Sequence, residues 1–209
     1  MTTIKLGATS ALLALALCAG PGSAVAQALK ESTVLEALKP RTTRSLTISP
    51  ADQAKAAEER RIIDDALHQS QTRSLSSTQR EQVAAIAKEK PKIDLEIYFD
   101  YKSAASAPKA VPDLTTLGHA LSSPDLAGSV FMIAGHTDAK GSERYNLSLS
   151  EQRAEAVKRF LMQKFSLSSD SLMAVGYGKE QLKNTDDPFA AENRRVQIVN
   201  MASKSTASK

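Results

Sequence analysis

From Pro91 onward, apolar and polar positions fall into regular periods. "IDLEIYFDY" (93–101) sets Ile93, Leu95, Ile97 and Phe99 against Asp94, Glu96, Tyr98 and Asp100, the two-residue alternation of a strand with one buried face. "APKAVPDLTTLGHAL" carries Val111, Leu114, Leu117 and Leu121 at helical spacing, and "SVFMIAG" (129–135) is a short apolar run ended by glycine. These predict a helix and a buried strand. Across 143–165, Leu149, Val157, Leu161 and Phe165 recur at one or two helical turns, and "SLMAVGYG" and "NRRVQIVN" supply two further strands. The resulting order, βαβαββ, predicts an α/β (α+β) two-layer sandwich over residues 91–202, with 203–209 as a disordered tail.

The pattern before Pro91 is different. Residues 27–90 hold few large apolar side chains and many Ala, Ser, Thr and Gln. Two helices are predicted there, one from Ser49 as N-cap with Pro50 at the first helical position and Asp52 at the third, the other from Thr78 with Glu81 in capping-box spacing. "HQSQTRSLSS" between them has loop composition, and the repeat "TRSL" (43–46, 72–75) is too short to indicate a solenoid. Neither helix offers a wide apolar face, so 27–90 is expected to be a partly helical, partly ordered spacer. It also lacks the repeated alternating strands of an outer-membrane barrel.

Residues 1–26 combine Lys5, the apolar run "ALLALALCAG" and the small-residue exit "SAVA". This is the pattern of an export signal cleaved after Ala26, with an apolar run too short to span a bilayer. Cys18 is the only cysteine, and Leu17 stands where a small residue normally precedes a lipid-modified cysteine. The expectation is an exported chain without disulfides or a transmembrane span, folding on its core alone.

Composition narrows the function classes. An apolar share of 42% suits a packed core, while 4% aromatics and no Trp speak against a large aromatic ligand cradle. The net charge of +4 is spread among interspersed acids and bases, with no basic stripe alternating with aromatics. Nucleic acid is therefore a poor candidate partner.

The polar stretch "AGHTDAKGSERYNLSLSEQR" (134–153) holds the chemistry. "HTDAKG" leaves the C-terminal end of a strand and enters a helix, where α/β proteins tend to place ligands, and Gly141 permits a tight turn. Asn146 and Arg153 are seven residues apart, about two turns, so they share a helix face that Val157 and Leu161 continue into the core. A guanidinium at the rim of buried surface needs a carboxylate nearby. That carboxylate is Asp138, in an internal ion pair, one carried by a ligand, or both, and spacing leaves these open. His136 beside Asp138 suggests general-base or metal chemistry. With three histidines in all (His68, His119, His136) and none clustered, an enzyme, a metal site or a cofactor is not expected.

At these residues the chain resembles the OmpA-like domain, the C-terminal domain of outer-membrane protein A shared with peptidoglycan-associated lipoprotein and flagellar motor stators. The resemblance rests on "IYFDY", "GHTDAKG", "YNLSLSEQRAEAVKRFL", "AVGYG" and "NRRVQI", in order, across roughly 93–200. It implies non-covalent binding of peptidoglycan at the diaminopimelate residue of the stem peptide, in the periplasm and close to the outer membrane. By the same resemblance Asp138 and Arg153 hold that amino acid, Thr137, Asn146 and Arg194 line the pocket, and Asp100 lies at its rim. The chain departs from the family's usual Gly-Arg-Ala run before "NRRV", having Ala190, Ala191 and Glu192 there. The competing readings are a structural adaptor that keeps the fold without wall binding, and a periplasmic hydrolase. Residues 27–90 would be free to engage another envelope protein.

Overall fold

A computed structural model of the protein describes residues 29–40, 49–97 and 108–201. The export signal, Asp100 and the tail lie outside the described residues. The described elements are α1 (Glu31–Leu38), α2 (Pro50–Ser70), α3 (Ser77–Ala87), β1 (Lys92–Leu95), α4 (Val111–Leu121), β2 (Phe131–His136), α5 (Glu143–Phe165), β3 (Leu172–Gly178) and β4 (Val196–Asn200). From β1 on, the order is the expected βαβαββ.

The sheet order is β1-β4-β2-β3, with β2 and β3 parallel and β4 antiparallel to both β1 and β2. Two consecutive strands joined through a helix must run parallel, and α5 is that crossover. On one face Leu95, Phe131, Ile133, Leu172, Val196 and Ile198 pack with Leu114 and Leu117 of α4 and Val157 and Leu161 of α5. Val111 is an exception among the predicted apolar positions of α4, standing 43% exposed at the first helical residue.

On the other face Met132, Ala134, Met173, Val175, Tyr177 and Val199 pack with Ile63, Ala66 and Leu67 of α2 and Val83 and Ala87 of α3. Helices α2 and α3, inside the region expected to be a spacer, therefore form a third layer on the α/β sandwich. Alanines let these helices lie close to the sheet, so a few Ile, Leu and Val side chains suffice. Ser49 and Asp52 form the predicted capping box of α2. The box of α3 is shifted from the expected Thr78 and Glu81 to Ser76 and Gln79, because Gln79 also exchanges amide hydrogen bonds with Gln69 of α2.

The short helix α1 was not expected. Its N-cap, Lys30, makes no side-chain cap, so its stability must come from packing. Val34 and Leu38 are fully buried in the main core, each contributing roughly 1.5–3 kcal/mol. The Leu38 carbonyl accepts a hydrogen bond from buried Asn200 at 3.0 Å, satisfying a helix-end carbonyl from the last strand.

Candidate functional site

The site begins where β2 ends. Gly135 lies so near α5 that an added Cβ would meet the Ser150 backbone, and this close approach fixes the helix against the strand. Ser150 is fully buried, accepts a hydrogen bond from Gly178 N at 2.8 Å and donates one to Leu147 at 2.8 Å. The first turns of α5 are thus tied to the end of β3.

Between these fixed points runs the loop 137–142. Thr137 N donates to Gly178 at 2.8 Å, and its hydroxyl donates to the Asp138 carbonyl at 3.0 Å. Gly141 adopts φ +100°, a conformation other residues rarely tolerate. Ser142 caps α5 by accepting from Tyr145 N. Asn146 is buried and donates to the Lys140 carbonyl at 3.0 Å.

Thr137, Asp138, Lys140, Gly141, Tyr145, Asn146, Leu149, Arg153 and Arg194 line a cleft of about 320 Å³. The five predicted site residues among the described ones therefore converge on one cavity. Lys140 and Tyr145 were not predicted, although Tyr145, Leu149 and Arg153 recur every four residues and so form a single stripe along α5.

Asp138 pairs with Arg194, whose Nη1 donates to Oδ2 at 2.9 Å, while Oδ1 accepts from Lys140 N at 3.1 Å. A carboxylate offers about four lone-pair sites, so acceptor capacity remains. Burial lowers the Arg153 guanidinium from its ordinary pKa; Tyr145 opposes this, the like charge of Arg194 adds to it, and Asp138 opposes it. Two guanidinium groups and one carboxylate thus meet in a partly desolvated space, where an added anion is favoured.

His136 faces away from this chemistry. It is 1% exposed and stacks on Tyr177 with ring centroids 5.6 Å apart. Neither ring nitrogen makes a hydrogen bond of good geometry. Burial pushes its pKa down to about 3, the Arg195 charge adds to the shift, and the Asp94 carboxylate and Gln181 carbonyl oppose it. It is a packing residue at the strand end. Among the described residues no group of three or more His, Cys, Asp or Glu is placed to hold a metal ion, and no helix is long and apolar enough to cross a membrane.

A larger cleft, about 680 Å³, lies at the opposite end of the sheet. Three of its four lysines are already engaged, Lys39 with Glu36 and Asp125, Lys90 with Glu59, and Lys92 with the Lys88 carbonyl. The smaller cleft is the one around which Asp138, Arg153 and Arg194 meet.

Comparison with known proteins bears on this cleft. Residues 98–195 match the OmpA family. The chain is 40% identical over 105 residues to the peptidoglycan-associated lipoprotein of Pseudomonas aeruginosa, covering 48% of this chain and 59% of that protein. It is 35% identical over 108 residues to the peptidoglycan-associated lipoprotein of Legionella pneumophila, covering 51% and 60%. The match thus spans about three fifths of the length of these relatives. The crystal structure of the peptidoglycan-associated lipoprotein from Burkholderia pseudomallei is similar at 31% identity, over 49% of this chain and 86% of that one, with a TM-score of 0.42.

Proposed function

Because the chain carries a domain of the OmpA family, we propose that it binds peptidoglycan non-covalently and anchors or organises the cell envelope, with the cleft at the end of β2 holding the diaminopimelate residue of the stem peptide. The observation that carries this reading is the meeting of Thr137, Asp138, Asn146, Arg153 and Arg194 around one cavity. Diaminopimelate in the stem ends in an α-amino carboxylate, which needs an anion for its ammonium and a planar donor pair for its carboxylate. Asp138 supplies the first, and Arg153 with Arg194 the second. Each charge-assisted contact contributes on the order of 1.5–3 kcal/mol, which supports modest affinity per site. Retention by a wall would then come from many copies of the ligand. Residues 1–26 would serve as the export signal that brings the domain to the periplasm.

The Asp138–Arg194 pair favours one other reading, a structural adaptor in which these charges only tie the 137–142 loop to β4. The two readings separate in a sedimentation assay with purified sacculi. Asp138→Ala and Arg153→Ala are each expected to lose co-sedimentation at least tenfold, while both variants still unfold in one cooperative thermal transition close to that of the parent. Undiminished sedimentation of either variant would refute the clamp.

A further inference from the structure

Phe189 carries an exposed ring on a loop whose backbone borders the cleft. Of the three large apolar residues left most exposed among the described residues, Val111, Tyr145 and Phe189, the last is the most exposed at 63%. Tyr145 lines the cleft itself. A single exposed Phe is ordinary in a mobile loop. This loop, however, is held by hydrogen bonds along much of its length.

Asn193 is fully buried beneath it. Its Oδ1 accepts from Lys183 N and Asn184 N at 2.8 and 2.9 Å, and its Nδ2 donates to the carbonyls of Asn184 and Asp187 at 3.1 and 3.0 Å. Asn184 Oδ1 accepts from Asp186 N and Asp187 N. The Asp187 carboxylate accepts from Phe189 N at 3.1 Å, and its carbonyl accepts from Ala190 N at 3.1 Å. The loop is also fastened to the site, since Ala139 N donates to the Pro188 carbonyl at 2.9 Å and Arg194 Nη1 reaches the Phe189 carbonyl at 3.4 Å. The same Arg194 nitrogen holds Asp138. Backbone order on this scale around an unburied aromatic ring lowers the entropy lost when a ligand covers that ring.

We propose that Phe189 is a specificity residue of the cleft, packing on the aliphatic part of the peptide residue adjoining the clamped diaminopimelate. This inference rests on the wall-binding reading above. One residue of extended peptide spans about 3.3–3.6 Å, so a residue whose backbone carbonyl lies 3.4 Å from Arg194 Nη1 is within reach of the clamped residue's immediate neighbours. The sugar is two amino acids and a lactyl ether away. Phe189 therefore discriminates stem peptide from free diamino acid, whereas Asp138 and Arg153 hold both. Phe189 directly precedes Ala190, Ala191 and Glu192, where the chain departs from the family's usual run before "NRRV".

The test is a titration followed by NMR chemical shifts, which reads millimolar affinities, using the whole exported chain. The probes are free meso-diaminopimelate, the tetrapeptide L-Ala-γ-D-Glu-meso-diaminopimelyl-D-Ala, and the same peptide carrying its disaccharide. Phe189→Ala is expected to weaken the tetrapeptide about 5- to 10-fold, roughly the effect of losing one aromatic contact, and free diaminopimelate less than twofold. Phe189→Tyr, which keeps the ring, should bind the tetrapeptide as the parent does. Unchanged tetrapeptide binding in Phe189→Ala overturns the proposal, as does an equal loss for both small probes, or a loss confined to the disaccharide peptide. Asp138→Ala in the same titrations separates the two levels: if it binds every probe as the parent does, the clamp itself fails, whatever Phe189 does.

Discussion

Arg194 and Arg195 are adjacent in sequence and each faces an aspartate, yet their surroundings differ in kind. Arg194 Nη1 meets Asp138 at 2.9 Å, with side-chain exposures of 46% and 16%, at the mouth of a cleft. Arg195 Nε meets Asp94 at 3.4 Å, with exposures of 8% and 27%, on the sheet face beneath α3. Burial pushes the Asp94 carboxyl up, but hydrogen bonds from Gln197 and Lys183 and the charge of Arg195 more than offset this and hold it below its ordinary value. The extended chain entering β4 turns successive side chains to opposite sides, so one arginine serves the opening and the next serves the interior. An ion pair with solvent at hand can exchange partners for a ligand, whereas one surrounded by protein fixes the fold.

The comparison can be broken most strongly on its buried side, with acid. His136 donates its backbone N–H to the Arg195 carbonyl at 3.0 Å, and its ring pKa is held at about 3. The unfolded chain then binds one more proton than the folded one between the ordinary value near 6.5 and about 3. Stability is full above the upper value and falls as pH drops through that window, by up to about 1.4 kcal/mol per pH unit. Urea unfolding at pH 7, 6, 5 and 4.5 should show this slope, and His136→Asn should flatten it. An unchanged slope in the variant would place the effect elsewhere.

Arg195→Ala comes next. It strips Asp94 of its most buried partner while Lys183 and Gln197 remain, so the expected loss is about 3 kcal/mol, the lower end for a broken buried pair. Chemical denaturation measures it, and a loss under 1 kcal/mol would make the two arginines equivalent. Arg194→Ala should show the smallest change in stability, within about 1 kcal/mol. Its sacculus binding should nevertheless fall several-fold. A variant that unfolds early yet binds normally would reverse the assignment.

Much of this architecture was legible in the sequence. The Ser49–Asp52 capping box, the long α5 and strands β2, β3 and β4 follow from capping chemistry and periodicity. Asp138, Asn146 and Arg153 were legible as neighbours because one strand end and one helix face bring them near one another, whereas their reading as a ligand site, and the places of Thr137 and Arg194 in it, came from the family resemblance. The third layer was not, since α2 and α3 present narrow faces built largely from alanines and are held by a sheet distant in sequence. A hint was available: Val130 to Ala134 are apolar at successive positions, and a strand apolar on both sides requires cover on both. The Asp138–Arg194 pair and the loop under Phe189 depend on contacts 56 residues apart and on the Asn193 network, which no local pattern encodes.

The place of β4 has a consequence for the order of assembly. Among the described residues it is the last strand, yet it lies between β1 and β2, and its Asn200 also secures α1 through the Leu38 carbonyl. Until residues 196–200 arrive, β1 has no neighbour, β2 has one bare edge and the first helix has no lock. Closure of this sheet is a long-range event, the class of contact that folds slowly and late. A ribosome-bound chain lacking its last dozen described residues would carry the helices of the core but not the strand that joins β1 to β2, and would stay open to whatever machinery handles unfolded polypeptide.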